Sequence, residues 1–357
     1  MLRFSNMSEF NRVGGDKVEK IKIGILGTGV IIRDYHLPVL REIPQVEIVA
    51  AGNLHPESLM RLARDFQIPK TYVDFQKMAE DPEIDAVVIG LPNYLHAPVT
   101  IQMLEAGKHV FCEKPMAMNV KEAKAMIEAA RRADRRLMIG HMWRFDVEIR
   151  WLRDVVASGK IGQVYKVKSH AVWLHEGPRT ESWFTQPQFA GGGALADMGV
   201  HSIDTLRFIL GEARPIRVFA RTGTYFRPIK LEDTASLMIE FEGGITGFIE
   251  AGWYHPYADG LEGHTQVYGT EGYAQALPSK LCTWIEGIWS VTHPDMPKRK
   301  QQCDLPMYKA QMEHFVHCVL TGEEPVPGGR EGLWAMRVLE AAYRSAETGE
   351  VVPIEED

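Results

Sequence analysis

The chain has 357 residues, 45% of them hydrophobic and 24% charged, which is typical of a folded globular protein of about two domains. Its formal net charge of −7 argues against nucleic acid or an anionic membrane as the main partner. The four cysteines include no CxxC pair, which argues against a disulfide framework or a structural zinc site. No apolar run is long enough for a membrane span, and the start does not resemble a signal peptide. We therefore expect a soluble, cytoplasmic protein.

Residues 1–20 are polar and lack periodicity, so we expect a loose N-terminal extension. From Ile21 onward, short apolar runs alternate with helical stretches. The runs are "IKIGILG", "VEIVAAG", "DAVVIGLP", "KHVFCEKP" and "RLMIG", and the helices include 97–106 and 119–133. Such alternation predicts a doubly wound parallel sheet of the Rossmann type, which we assign to residues 21–145.

The pattern changes after Asp146. Longer strands such as "QVYKVKSHAVWL", "TASLMIEFE" and "ITGFIEAGWY" follow with few helices between them, and "FEGGIT" indicates a hairpin turn. Helices are expected near 308–321 and 330–347. We therefore expect residues 146–357 to form an α+β domain with a large, open, mostly antiparallel sheet that binds the substrate.

A glycine turn stands directly after the first predicted strand. Gly27, Thr28 and Gly29 form it, and Val30 and Ile31 begin the helix that follows. Glycines at this point let the backbone approach a pyrophosphate at the helix N-terminus. Taken alone, the same residues fit a plain tight turn equally well, but their place at the start of an alternating βα chain favours dinucleotide binding.

The end of the second predicted strand bears on the choice of cofactor. Asn53 stands where an acidic residue usually binds the ribose hydroxyls, and Leu54 follows it. Asn53 can still bond a 2′-hydroxyl, whereas neither residue supplies the cation that usually recognises a 2′-phosphate. We therefore predict NAD as the cofactor, with NADP as the alternative.

Two later strand ends add polar residues at the edge of the sheet where ligands bind. "GLPNYLHAP" places Pro92, Asn93 and His96 after one strand, and "FCEKPMA" places Glu113 and Lys114 after the next. A lysine is most often a solvated surface residue, but this position makes Lys114 a better site candidate. All five are predicted to lie at the cofactor.

The segment "ALADMGVHSIDTL" carries Asp197, His201 and Asp204. On a helix, steps of four and three residues keep these side chains on one face, within about 60° of each other. Spacing alone leaves two interpretations open. The strip is either part of an active site or a buried acid–histidine pair that stabilises the helix.

Taken together, these motifs resemble the glucose–fructose oxidoreductase and inositol dehydrogenase (Gfo/Idh/MocA) family. The resemblance runs from Ile21 to about Val352 and rests on "GILGTG", "DAVVIGLPNYLHAP", "EAGKHVFCEKPMA", "GHMWRF", "GGGALADMGVHSIDTL" and "GTEGYAQ". The sequence departs from the family at Ile32 and Asn53. The resemblance implies oxidation or reduction of one carbon of a sugar, cyclitol or related polyol with NAD or NADP. It also implies a homo-oligomer, a dimer or tetramer, formed through the C-terminal sheet.

Oxidation of a secondary alcohol needs a base for the hydroxyl proton, and His201 has the intrinsic pKa for it. Asp197 can orient that ring, and Lys114 can hold the reacting oxygen. The resemblance assigns Lys114, Asp197 and His201 as the catalytic set and places Asp204 at the substrate. Arg144 and His175 are further substrate-binding candidates, and for Arg179, Trp183, Trp143, Trp253 and Tyr254 a structural role weighs at least as much. A metal site built from Asp197, His201, His170 and His175 is disfavoured, because nothing else has ligand spacing.

Three functions therefore compete. The first is a sugar or polyol dehydrogenase, and the second is a glycosidase that retains NAD and works by transient oxidation and elimination. The third is a non-catalytic sensor of sugar and nucleotide, against which the joint presence of Lys114, Asp197 and His201 argues. The sequence favours the dehydrogenase.

Overall fold

The computed structural model describes residues 20–172, 180–255, 263–298 and 303–356. The predicted extension, except Lys20, and the candidates His175 and Arg179 lie outside these residues. The described residues contain two β-sheets, one of six strands and one of nine.

The first sheet is parallel throughout, with the strand order β3-β2-β1-β4-β5-β6. Its central strands are apolar on both faces because helices cover both, which confirms the predicted doubly wound sheet. The strands are β1 Ile21–Leu26, β2 Val46–Gly52, β3 Lys70–Tyr72, β4 Ala86–Ile89, β5 His109–Cys112 and β6 Leu137–Ile139. The three-residue strand β3 lies at the sheet edge and carries no hydrophobic run from which it could be predicted.

The helices around this sheet follow the predicted order, with one short addition, Phe75–Ala79, that the sequence did not predict. The first is irregular, since a π-helical segment, Ile31–His36, precedes a short α-helix. The α-helices are α1 Leu37–Leu40, α2 Pro56–Asp65, α3 Phe75–Ala79, α4 His96–Glu105 and α5 Val120–Ala133. The side chain of Asn119 caps α5 by accepting a hydrogen bond from the backbone of Glu122, which sets the start of that helix.

The second sheet has the order β14-β13-β12-β11-β7-β10-β9-β8-β15, and β7 with β10 is its only parallel pair among the described residues. The hairpin predicted from "FEGGIT" is present: the turn Glu242–Gly244 joins β9 to β10. The strands are β7 Val164–Val172, β8 Pro215–Gly223, β9 Thr234–Phe241, β10 Ile245–Gly252, β11 Gly263–Gly269, β12 Gly272–Ala276, β13 Lys280–Ile285, β14 Ile288–Thr292 and β15 Val352–Pro353. The expected large, mostly antiparallel sheet is therefore confirmed.

The remaining helices are α6 Val147–Ala157, α7 Pro187–Ala190, α8 Val200–Ile209, α9 Leu305–Thr321 and α10 Gly329–Thr348, and a π-helical turn, Leu195–Gly199, leads into α8. Helices α6, α8 and α10 pack on the second sheet, whereas α9 packs on α1 beside the first. No described helix combines the length and apolar character needed to cross a bilayer.

Helix α8 separates the two sheets. It packs on β7 and β10 on one side and on the turn Met142–Phe145, which follows the last strand of the first sheet, on the other. As a result, every residue of α8 is buried, including the polar ones. A helix buried on all sides must find a partner for each of its charged groups.

Candidate active site

The glycine turn has one glycine that the fold requires and one that it does not. Gly27 has a φ of +110°, and a Cβ there would lie 2.3 Å from the carbonyl oxygen of Gly90. A Cβ on Gly29 would meet nothing within 4 Å. The open space at Gly29 lies at the start of a helix whose first N–H groups have no partner within it. A pyrophosphate fits there, since the backbone can approach it closely.

The departure from the family pattern at Ile32 has a local explanation. A small residue in this position normally lets the helix approach the strand. Here the close approach is made at Gly90, where a Cβ would lie 2.8 Å from the Ile32 side chain. A glycine directly after β4 therefore provides the room that the Ile32 side chain occupies.

Asn53 ties the end of β2 to the glycine turn. Its side-chain amide donates hydrogen bonds to Thr28 Oγ1 at 2.9 Å and to Ser58 Oγ at 2.8 Å. Val30 and Leu54 are 59% and 48% exposed, and they offer apolar surface beside this polar cluster. The cluster is uncharged, so it can bond ribose hydroxyls without providing a cation for a 2′-phosphate.

The other predicted cofactor residues use their side chains within the protein. Glu113 Oε1 lies 2.7 Å from His36 Nε2 in a buried pair. The two ring nitrogens of His96 lie within hydrogen-bond distance of backbone carbonyl oxygens, those of Pro115 at 2.7 Å and Leu91 at 2.8 Å. The Asn93 amide donates to the carbonyl of Ala190 at 2.8 Å, and Pro92 is half-buried beside it. These side chains fix the strand ends that form the cleft, so their expected contact with the cofactor stays a prediction.

Lys114 and Asp197 join the two halves of the molecule. Lys114 Nζ donates to Asp197 Oδ1 at 2.8 Å and to the Asp197 carbonyl at 2.9 Å. The indole of Trp253, a fully buried side chain, donates to the other carboxylate oxygen at 2.9 Å. Both carboxylate oxygens are therefore engaged, while an ammonium has a third N–H that is free to meet a substrate oxygen.

His201 is held by stacking, which differs from the expected role of Asp197. Its ring lies 4.9 Å from the Trp143 ring with an interplanar angle of 20°. Asp197 binds Lys114 and Trp253 instead, so it does not orient the imidazole as the sequence suggested. Nδ1 of His201 is buried and has no hydrogen-bond partner among the described residues. Burial, assisted by the charges of Lys114 and His141, holds the pKa of His201 well below its ordinary value.

Asp204 and Arg144 bind each other. Arg144 donates from Nε to Asp204 Oδ2 at 2.7 Å and from Nη2 to Oδ1 at 2.6 Å, and both side chains are buried. Arg144 also contacts Glu212 at 2.5 Å. In the structure their charges neutralise each other, and the ion pair connects the first sheet to α8. Substrate binding by Arg144 and Asp204 stays a prediction.

The three polar side chains of the strip all contact residues that follow strands of the first sheet. Asp197 meets Lys114, His201 meets Trp143, and Asp204 meets Arg144. All three partners come from the segment that follows β5 and β6. The strip is therefore the junction between the two halves. Asp197, the first residue of the strip, lies within the π-helical turn, and π turns of this kind are frequent at functional sites.

Sequence reasoning gave too little weight to the aromatic residues. For Trp253 and Trp143 the sequence gives a structural role at least as much weight as a functional one, although both contact a predicted catalytic side chain. Trp253 directly follows a strand that ends beside the strip, and that position was the available signal. Tyr254, the next residue, has a φ of 61°, an unusual backbone conformation for a non-glycine residue. Among the described residues, no three His, Cys, Asp or Glu side chains converge to hold a metal ion.

Comparison with known proteins gives two family matches. The model of the oxidoreductase family with an NAD-binding Rossmann fold (GFO_IDH_MocA) matches residues 21–141. The GFO/IDH/MocA C-terminal domain matches residues 149–275.

Individual relatives agree with these matches. The chain is 29% identical to 1,5-anhydro-D-fructose reductase of Ensifer adhaerens over 340 residues, 93% of this chain and 98% of the relative. It is 30% identical to trans-1,2-dihydrobenzene-1,2-diol dehydrogenase of Mus musculus over 277 residues, 76% of each chain. The crystal structure of aldose-aldose oxidoreductase from Caulobacter crescentus, complexed with glycerol, is similar with a TM-score of 0.81 and 28% identity, covering 94% of this chain and all of the other.

The two glycines of the turn provide a matched test of the cofactor site. We expect Gly27→Ala to lower the free energy of unfolding by about 1–3 kcal/mol, because of its φ and its contact with Gly90. Gly29→Ala should leave stability within about 1 kcal/mol of the wild type but weaken NAD binding at least about tenfold, because the methyl group occupies the open space. Urea unfolding and NAD titration by fluorescence measure both effects. Unchanged NAD affinity in Gly29→Ala would place the pyrophosphate elsewhere.

Proposed function

The chain belongs to the GFO/IDH/MocA family of oxidoreductases with an NAD-binding Rossmann fold, and from that premise we propose that it is an NAD-dependent dehydrogenase. Its proposed substrate is a secondary alcohol of a sugar, an inositol or a related polyol. The observation that carries the proposal is the Lys114–Asp197 ion pair beside His201, at the edge of the first sheet where the glycine turn also lies. NAD, when bound, accepts the hydride from the alcohol carbon.

Lys114 holds the reacting oxygen in this proposal. Two of its three ammonium hydrogens bond Asp197, which fixes the nitrogen in place. The remaining N–H donates to the substrate hydroxyl and stabilises the negative charge that develops on that oxygen. Asp197 thus acts on the substrate by positioning Lys114.

His201 is the proposed base. Its pKa is lowered by burial, so the ring is uncharged at neutral pH and Nε2 can accept the hydroxyl proton. Stacking on Trp143 fixes the plane of the ring, and therefore the direction of the Nε2 lone pair. A base held this way pays little reorganisation cost when the substrate arrives.

The uncharged cluster of Asn53, Thr28 and Ser58 supports NAD over NADP. It offers hydrogen bonds to ribose hydroxyls, whereas a 2′-phosphate would gain no cation from Asn53 or Leu54. The names of the relatives support a sugar or related diol as substrate, since they act on anhydrofructose, a dihydrodiol and aldoses.

A substrate screen tests this function against its rivals. We expect NADH to form with at least one member of a panel of inositols, aldoses and uronates, and NAD to be preferred over NADP assayed in parallel. A retained-NAD glycosidase would instead cleave aryl glycosides without net NADH. A sensor would bind a panel member, detected by calorimetry, with neither reaction. Either of those results would overturn the dehydrogenase proposal.

The pH dependence tests the role of His201. Because its pKa is depressed, the ring loses its proton below the ordinary histidine value. We therefore expect kcat/KM for oxidation to fall with acid only below about pH 6.5. His201→Ala should lower kcat by about 10²-fold or more while NAD affinity stays close to that of the wild type, and Tm should fall because a buried, stacked ring is removed. His317→Ala, on the exposed side of α9, is the control. An acid limb centred above about pH 6.5, or full turnover in His201→Ala, contradicts the assignment.

We also propose a homo-oligomer formed through the face of the nine-stranded sheet that α8 does not cover. Met238 and Phe248 pair across β9 and β10 on this face and are 44% and 40% exposed. Light scattering should give a dimer or tetramer at micromolar concentration, which Phe248→Lys converts to monomer and Tyr225→Lys, in a loop, does not. A monomeric wild type would exclude the proposal.

A further inference from the structure

Glu232, just before β9, binds the segment that leads into the catalytic helix. Its Oε1 accepts three hydrogen bonds: from Gly193 N at 2.9 Å, from Leu195 N at 3.1 Å and from the hydroxyl of Tyr343 at 2.8 Å. The backbone carbonyl of Glu232 accepts a fourth bond from Ala194 N at 2.9 Å. A residue 35 or more positions away thus caps the π-helical turn that carries Asp197.

Two glycines of the run 191–193 are explained by these contacts. A Cβ on Gly193 would lie 2.0 Å from the carbonyl oxygen of Glu232, and one on Gly192 would lie 2.1 Å from the Tyr343 hydroxyl. The bonds from Glu232 and Tyr343 therefore require glycine at these two positions. Glycine loses more conformational entropy on folding than any other residue. Without these contacts, the glycines would therefore make the start of the catalytic helix flexible.

The segment also has room to move. A cavity of about 360 Å³ borders it, lined among others by Gly191, Ala196 and Tyr343. Asn93 bonds the carbonyl of Ala190, the residue before the segment. Because part of the segment faces this cavity, the bonds from Glu232 and Tyr343 add restraint where packing is incomplete.

The charge on Glu232 is costly and has no ionic partner. Among the residues that the structure describes, no Lys, Arg or His forms an ion pair with it, and only backbone N–H groups and Tyr343 compensate the carboxylate. Burial raises the pKa of Glu232, and burial together with Glu232 raises that of Tyr343 well above its ordinary range. A neutral acceptor would cap the turn at lower cost, so the charge is explained by strong, charge-assisted bonds at this point.

We propose that Glu232 and Tyr343 are positioning residues that hold the start of the catalytic helix, so that Asp197 stays bonded to Lys114. Neither touches the reacting atoms. Where it concerns turnover the inference rests on the proposed dehydrogenase function, whereas the position of Asp197 can be measured without any substrate.

Two measurements on the full-length protein test the inference directly. Hydrogen exchange followed by mass spectrometry reports the protection of residues 190–199. Mass mapping after brief treatment with acetic anhydride reports how far the ion pair shields the Lys114 amine. We expect Glu232→Ala to speed exchange of this segment at least about tenfold and to increase Lys114 acetylation, with protection of β1 and β4 unchanged. Tyr343→Phe removes one donor and should speed exchange about fivefold.

Two further variants serve as controls: one removes the charge of Glu232 but keeps its shape, and the other removes a carboxylate elsewhere on α10. Glu232→Gln keeps the accepting oxygen and nearly the same shape, so its segment should exchange more slowly than that of Glu232→Ala. Glu340→Gln removes a carboxylate from α10 one turn before Tyr343. Because Glu340 bonds Val120 instead of this segment, exchange of residues 190–199 should match the wild type.

The outcomes decide the inference independently of the reaction. Unchanged exchange and unchanged Lys114 acetylation in Glu232→Ala would overturn it, whether or not a substrate is known. With a substrate from the screen, Glu232→Ala should lower kcat about tenfold and leave NAD affinity within about twofold. Faster exchange with an unaltered kcat would reduce Glu232 to a helix cap without a positioning role. A screen that finds no substrate would leave the exchange and acetylation results standing while the dehydrogenase proposal fails.

Discussion

The ion pair between Lys114 and Asp197 is the interaction on which the arrangement of this molecule depends. Lys114 follows β5 of the first sheet and Asp197 lies in the π-helical turn before α8. Their side chains are 15% and 9% exposed, so their charges are largely removed from water. Removing one member of such a pair costs about 3–5 kcal/mol, because the other charge is then buried alone. The edge of the cofactor sheet and the start of α8 are thereby held together, and the cleft between them takes its shape from that contact.

The surroundings of the pair supply the bonds that a buried charge requires. Trp253 donates a hydrogen bond to the second carboxylate oxygen of Asp197. Glu232 and Tyr343 hold the backbone segment that precedes Asp197. On the other side, Glu113 beside Lys114 is bound to His36, which belongs to the helix of the glycine turn. A continuous set of bonded groups therefore runs from the nucleotide end of the molecule to the substrate end. A displacement at either end is resisted by bonded groups along the whole set.

The fold could be predicted from the sequence because its signals are local. Apolar runs alternating with amphipathic stretches gave the parallel sheet, and "FEGGIT" gave the β9–β10 hairpin. The exceptions are also local: β3 has only three residues and little burial, so it produces no apolar run. The polar strip at Asp197, His201 and Asp204 was found for the same reason, since helical spacing places its members on one face.

Partners could not be predicted, because they are set by the packing of distant segments. Lys114 and Asp197 are 83 residues apart, and Arg144 and Asp204 are 60 apart. Spacing suggested that Asp197 orients His201 one turn away, yet the carboxylate turns towards Lys114 and Trp253. The family resemblance grouped Lys114, Asp197 and His201, but it did not explain Gly192 and Gly193. That explanation required Glu232 and Tyr343, whose contacts appear only in the folded chain.

Burial also determines which group of the strip can react. Asp204 is neutralised by Arg144, and Asp197 by Lys114, so both acids are committed to ion pairs within the described protein. His201 has no such partner there, and its surroundings penalise the charged ring. Because both acids of the strip are in ion pairs, the uncharged imidazole of His201 is the strip's remaining proton acceptor. The same packing that joins the two sheets therefore keeps the His201 ring uncharged at neutral pH, which is the state that its proposed role as a base requires.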